Sequence, residues 1–432
     1  MKIKTAGAVR GEISLPGDKS ISHRAAMFAA MANGTTRIYN FATSADCWST
    51  ASCLRSLGID IEGSSLALKV VGLGKKGFLH HNEPLDCGNS GTTMRLMSGI
   101  LSGQNFQSTL TGDESLRSRP MKRVIDPLEK MGARFEHKDF RAPLTIKGLS
   151  PLNAIEYELP VASAQIKSAV LLAGLNAEGT TSVIENAQTR DHTERMLRWL
   201  GVDVIENKTD TSTKISVSGD SVLTARDISV PGDISSSAFF SVAAACLSGS
   251  DILMKNIGLN ASRAGVIEVL QDLGVDAEIP DRREMCNEPV GDLHVTGRRD
   301  LGEIGELTVL KGAVIPNIID EIPILAVLGT QLGGGLEIRD AAELRVKESD
   351  RIAAVVKNLR NLGAEVEEFS DGMRIAKSQL RGGVVDSHGD HRIAMAFGVA
   401  GLLASGETEI IGADAVDVSF PGFFEALNRI VV

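Results

Sequence analysis

The 432-residue chain is longer than one hydrophobic core usually serves, so two or three domains are expected. Its 55 acidic and 45 basic residues leave a formal charge of −10, which argues against nucleic acid as the main partner but leaves room for a few cations focused on small anions. Five scattered cysteines without a CxxC pair read as free thiols of a reducing compartment, and neither a signal sequence nor a bilayer-length apolar run is present, so a cytoplasmic place with no membrane partner is expected.

The chain opens on two short predicted strands with no nearby partner, about residues 2–4 and 12–15. One phrase then recurs six times at intervals of about 70 to 85 residues: a polar loop, a helix of small and apolar residues, a strand, an amphipathic helix and a hairpin. In the first unit, Pro16-Gly17-Asp18 leads into a helix begun by Lys19 and Ser20, with Arg24 one turn in. Unpaired charge is costly in so apolar a helix, so these residues read as anion ligands rather than solvated charge. The spacing is not that of a GxxxxGK[ST] nucleotide loop. The second unit begins at Asn89-Ser90-Gly91, where Gly91 bares the backbone N–H groups of the helix start, with Arg95 beyond it. Arg119 precedes Pro120 and is therefore expected in extended backbone, as a ligand or a solvated loop residue.

The third unit starts at Ser163 with the body Ala164-Gln165-Ile166-Lys167, and the fourth at Asp233-Ile234-Ser235. In the fifth, Asp320-Glu321 precedes Ile322-Pro323, where a carboxylate is either an N-cap or a proton acceptor. Glu343 to Arg351 then packs six charges into nine residues, either a solvated helix start or a site; Lys347 and Arg351 share a face if the helix has begun. The sixth unit opens with His388-Gly389-Asp390-His391-Arg392. Two histidines three apart without a third ligand cluster are a weak metal signal, and Arg392 in an apolar helix fits an anion better. Five second helices end in Leu-Gly or Met-Gly stops at Gly58, Gly132, Gly201, Gly274 and Gly363. The sixth unit has no hairpin after its last helix, about residues 422–430.

The missing hairpin and the orphan strands are reconciled if the start of the chain pairs with its end. One lobe then comprises residues 1–14 and 232–432, the other residues 15–231, with the active site expected in the cleft between them. Helices apolar nearly all round must be buried, so the strands have to cover them from outside. The expected class is α/β (α+β): a two-lobed, inside-out α/β barrel built from six βαβαββ-type units. Helix N-termini carry unsatisfied N–H groups and partial positive charge, which suits anions. Each polar residue there is, taken alone, an ordinary N-cap; the cations beside them favour a ligand.

The phrases PGDKSISHR (16–24), GNSGTTMR (88–95), RSRP (117–120), ASAQIKSA (162–169), DEIP (320–323), LRVKESDR (344–351) and GDHR (389–392), in this order, resemble the 5-enolpyruvylshikimate-3-phosphate (EPSP) synthases along essentially the whole chain. ASAQIKSAVLLAGLN and TRDHTERM are closer to the branch called class II. The resemblance implies an enolpyruvyl transferase-like fold. It also implies a monomeric shikimate-pathway transferase, serving chorismate and aromatic amino acid synthesis without metal or cofactor. Such an enzyme moves the enolpyruvyl group of phosphoenolpyruvate to the 5-hydroxyl of shikimate 3-phosphate through a tetrahedral ketal, and glyphosate competes with phosphoenolpyruvate. By this resemblance Lys19, Ser20, Arg24, Ser163, Gln165, Asp320 and Lys347 hold shikimate 3-phosphate. Lys19, Gly91, Arg119, Gln165, Arg351 and Arg392 hold phosphoenolpyruvate, and Asp320, Glu348 and Lys19 handle protons.

Three positions depart from the pattern: Ala164 where many relatives carry a second Ser, Val418 where some carry Lys, and Thr189 to His192 in place of a Tyr-containing segment, which makes Arg190 a candidate phosphate contact. The sister family acting on UDP-N-acetylglucosamine shares the six-unit fold but places a Cys where Ser115 stands here. A non-catalytic anion-binding scaffold, the other alternative, would leave the cations singly in solvent.

Overall fold

Six helices with mostly buried residues begin within two positions of the polar phrases: Lys19–Met31, Gly91–Ser102, Ala164–Gly174, Ile234–Cys246, Ile322–Gly329 and His391–Leu403. Five are capped by a side chain that accepts a backbone N–H one turn in: Asp18, Ser90, Ser163, Asp233 and Asp390. The cap reading therefore holds for these five. It fails for Asp320, because the fifth helix begins two residues later and Pro323 in its first turn has no N–H to cap.

The computed structural model describes residues 1–298, 301 and 305–432. The chain divides into two units: unit one comprises Met1–Pro16, Pro231–Glu284 and Pro289–Val432, and unit two comprises Gly17–Val230 with Met285–Glu288. Each unit has its own hydrophobic core. Within each, the first helices pack on one another and the sheets lie outside them. The strand Ala67–Leu73 shows why: Leu68, Val70 and Gly72 point inward and are buried, while alternate residues face out. Small residues let the inner helices approach closely. A Cβ on Gly99 would lie 2.3 Å from the carbonyl oxygen of Ala169, so only glycine fits where Gly91–Ser102 meets Ala164–Gly174.

The six second helices are Ala45–Ser56, Lys122–Lys130, His192–Trp199, Gly265–Asp272, Arg351–Asn361 and Phe423–Ile430. The five glycine stops all have φ between 80° and 104°, the left-handed conformation that ends a helix.

One sheet plan serves five of the six repeats, and the sixth keeps part of it. Thr180–Glu185, after its first helix, pairs parallel with Glu156–Glu158 and antiparallel with Thr213–Ser218, which pairs with Val204–Lys208. In unit one, Arg10–Ile13, starting two residues before the expected strand, runs parallel to Asp251–Gly258. In the sixth repeat Glu407–Ile411 runs parallel to Val384–Asp386, and Lys2–Lys4 takes the place of the missing hairpin, antiparallel, with Lys2 opposite Glu409.

A further crossing has no local signal in the sequence. Met285–Glu288, at the turn between Arg283–Met285 and Glu288–Thr296, belongs to unit two. There Arg195 Nη1 donates to Asn287 O at 2.9 Å, and His192 Nδ1 lies 2.8 Å from Glu288 Oε1. No single described helix is long and apolar enough to cross a membrane.

Candidate active-site residues

In unit two the Lys19–Met31 helix brings three predicted residues to its first turns. Lys19 Nζ sits 2.6 Å from Asp46 Oδ2, and the Ser20 carbonyl accepts from Arg24 Nη1 at 3.0 Å. Arg24 is 3% exposed, and its other hydrogen bonds go to hydroxyls: Nε donates to Thr193 Oγ1 and Nη2 to Ser168 Oγ, both at 2.8 Å. Burial lowers its proton affinity to about 10, with Glu194 working against the shift and Arg190 adding to it. Arg24 therefore stays charged at neutral pH and is held by neutral groups, an arrangement that suits a cation meant for an incoming anion. Beside it, burial, helped by Lys19 and Arg24, lowers His23 well below the usual imidazole range, so His23 is neutral. Its Nδ1 joins a hydroxyl chain through Thr50 and Thr93 to Ser90, the cap of the Gly91 helix.

At that second helix start, Gln165 links the neighbouring helix across: its Oε1 accepts from Arg95 Nη1 at 2.7 Å and its Nε2 donates to Thr92 Oγ1 at 2.9 Å. Arg119 is in extended backbone, as Pro120 requires, and its Nη2 donates to Asn89 Oδ1 at 2.6 Å and Ser115 Oγ at 3.2 Å. A Cβ on Gly91 would lie 2.8 Å from Arg95 Nη1 and 3.5 Å from Arg119 Nη1. The bare backbone at Gly91 thus faces two guanidinium groups. Ser163 caps its own helix, 3.5 Å from Ile166 N.

In unit one, Asp320 lies outside the fifth helix with its carboxylate among three arginines. Oδ1 is 3.6 Å from Arg351 Nη1, and Oδ2 is 3.4 Å from Arg263 Nη1 and 3.7 Å from Arg392 Nη2. Arg392 Nη1 also donates to the Asp320 carbonyl at 2.8 Å. Arg351 is almost wholly buried. Its Nε donates to Asp390 Oδ2 at 2.7 Å and its Nη2 to Glu348 Oε2 at 2.6 Å. Burial pulls its proton affinity down, but Asp390, Glu348 and Asp320 outweigh this and hold it above the ordinary value. Burial likewise pushes Asp390 up, yet Arg351 and His391 win and keep its carboxyl below the usual range.

The structure thus gathers Asp320, Glu348, Arg351 and Arg392 into one cluster, and Lys19, Ser20 and Arg24 into the first turns of one helix. It does not bring Lys347 to the Asp320 cluster through any described contact. The helix expected to align Lys347 with Arg351 starts only at Arg351, Lys347 is extended, and its Nζ pairs with Glu343 Oε1 at 2.8 Å. Sequence reasoning missed Arg263, 5% exposed, which donates to Ser235 Oγ and faces Asp320. Its signal was the one noticed at Arg24, an arginine among apolar and small residues, but in a turn rather than at a helix start.

The EPSP synthase (3-phosphoshikimate 1-carboxyvinyltransferase) family model matches residues 3–427. The chain is 51% identical over 436 residues to the 3-phosphoshikimate 1-carboxyvinyltransferase of Bacillus subtilis, covering all of this chain and 99% of that one. It is 50% identical over 429 residues to the enzyme of that name from Desulforamulus reducens, covering 98% and 97%. A solved structure of EPSP synthase from Acinetobacter baumannii matches with a TM-score of 0.89 at 42% identity, covering 99% of this chain and 97% of that one.

Proposed function

The chain belongs to the EPSP synthase family, and from that premise we propose that it transfers the enolpyruvyl group of phosphoenolpyruvate to the 5-hydroxyl of shikimate 3-phosphate, releasing phosphate. The observation that carries this reading is the Asp320 carboxylate set among Arg263, Arg351 and Arg392, with Glu348 on Arg351. A carboxylate beside several cations can take a proton from a hydroxyl while those cations hold an anionic partner.

In the proposed sequence, Asp320 accepts the 5-hydroxyl proton as that oxygen bonds to C2 of phosphoenolpyruvate. Glu348, assisted by Lys19, gives a proton to the methylene carbon, forming the tetrahedral ketal. Glu348, left as a carboxylate, then takes a proton back from that carbon as the C–O bond to phosphate breaks, which restores the double bond and releases phosphate. Arg351 is proposed to hold phosphoenolpyruvate with Lys19, Gly91, Arg119, Gln165 and Arg392. Its engagement would draw it from Glu348, removing the counter-ion that favours a carboxylate over the acid needed to donate a proton. Shikimate 3-phosphate is assigned to Lys19, Ser20, Arg24, Ser163, Gln165, Asp320 and Lys347. Phosphate release that requires both substrates, with the enolpyruvyl ether identified by mass spectrometry, is the expected result. No release, or release without shikimate 3-phosphate, would overturn the proposal.

Glyphosate, an anion like phosphoenolpyruvate, is proposed to compete for the Gly91 and Arg119 end of this set. A methyl at Gly91 must displace Arg95, whose guanidinium is the flexible end of a side chain, so the fold should tolerate Gly91→Ala. Crowding of this kind costs about 1–3 kcal/mol. The variant is expected to weaken glyphosate inhibition about tenfold or more, with a smaller rise in KM for phosphoenolpyruvate and little change in Tm. An unchanged inhibition constant would refute the steric argument.

A further inference from the structure

Arg24 is held by a directed chain of hydrogen bonds, and the direction can be deduced. Ser168 Oγ donates to the Ala164 carbonyl at 2.6 Å, so its single proton is spent there. Ser168 Oγ and Thr193 Oγ1 are 2.6 Å apart, and Thr193 must therefore be the donor between them. With both hydroxyl protons committed, each oxygen turns a lone pair to the guanidinium: Thr193 to Nε and Ser168 to Nη2, at 2.8 Å each. The order runs Arg24 to Thr193 to Ser168 to the Ala164 carbonyl. Ser168 and Thr193 are both 0% exposed, so water is not at hand to replace either acceptor. The third bond, from Nη1 to the Ser20 carbonyl, fixes the remaining edge of the fork.

The three anchors lie on three helices, Lys19–Met31, Ala164–Gly174 and His192–Trp199, which otherwise share no local sequence relation. Ala164 lies between Ser163 and Gln165, both assigned to the substrate that Arg24 would hold. The chain therefore joins a cation and a helix start meant for one molecule.

We infer that Thr193 and Ser168 are positioning residues for shikimate 3-phosphate, acting through Arg24; the inference rests on the substrate assignment proposed above. Neither side chain needs to touch the substrate. Their role is to keep the guanidinium in one orientation before the substrate arrives, so that its ordering is not charged against binding.

The test is Thr193→Val, which keeps the branched shape and removes the acceptor for Nε and the donor for Ser168. Losing a buried hydrogen bond to a charged group predicts about a tenfold or larger rise in both KM and equilibrium Kd for shikimate 3-phosphate, the latter by titration calorimetry without phosphoenolpyruvate. Because uniform binding is what is lost, kcat and KM for phosphoenolpyruvate should stay within about twofold. Thr193→Ser, which restores the hydroxyl, should recover most of the affinity, and Ser168→Ala should repeat the defect if Thr193→Val does not fold. Changes of less than about twofold in shikimate 3-phosphate affinity in both Thr193→Val and Ser168→Ala, or an equal rise in both KM values, would overturn the inference. A wild-type protein that binds no shikimate 3-phosphate would instead overturn the underlying substrate assignment.

Discussion

Asp320→Asn is expected to lower kcat about a hundred- to ten-thousandfold, the range lost when a general acid or base is removed, while both substrates still bind. Asparagine keeps the shape and can still face the arginines through its amide oxygen, but it cannot take a proton from the 5-hydroxyl. The surroundings should survive the change. Arg351 keeps Asp390 and Glu348, and Arg392 keeps the Asp320 carbonyl and lies 3.7 Å from Glu321. Loss of one negative charge from among three guanidinium groups should if anything favour an incoming anion. Single-turnover phosphate release, measured beside equilibrium binding of each substrate, separates the two effects. A variant that keeps more than about a tenth of the wild-type rate would remove Asp320 from the proton-transfer role.

That experiment is aimed at a residue whose function was ambiguous in the sequence. A carboxylate just before an apolar helix is a good cap, and five of the six polar starts are caps. Asp320 is the exception because Pro323 removes the need, which frees the carboxylate to face arginines about 30 to 70 residues away in the chain. The repeat itself was legible, because caps, apolar helix bodies and glycine stops are local signals. Partners across the chain were not. Arg263 comes from a turn with no helix-start phrase, and Lys347 could be aligned with Arg351 only by assuming a helix that begins later. The Met285–Glu288 excursion places Glu288 against His192, 96 residues away, with nothing in either neighbourhood to announce it.

Lys167 illustrates the same limit and carries the second large expected effect. Ala164–Gly174 reads as an apolar helix body, yet Lys167 is fully buried within it. Its Nζ lies 2.6 Å from Glu194 Oε1 and 3.1 Å from Glu185 Oε2, and both carboxylates are nearly as buried. Replacing it by methionine keeps the length and removes the charge, leaving two acids in a site that water does not reach. Breaking a buried ion pair from one side costs about 3–5 kcal/mol, and that is the expected loss in urea denaturation at neutral pH.

The sign of the pH dependence follows from Glu194. Burial raises its proton affinity and Lys167 is the first influence opposing that rise, so the variant's Glu194 should bind its proton more tightly still. A group raised in the folded state adds stability below its unfolded value and loses it as pH climbs through the folded one. The deficit of Lys167→Met should therefore be largest near pH 8 and smaller near pH 5, and adding Glu185→Gln with Glu194→Gln should recover much of it. A loss below about 1 kcal/mol at neutral pH, or one that does not vary with pH, would show that the three charges are not a working cluster. Lys167 precedes Ser168 and Glu194 follows Thr193, so these buried charges tie together the two helices whose hydroxyls hold Arg24. A misplaced Arg24 in the variant would then be a consequence of charge burial one residue along each backbone, not of any change at the guanidinium itself.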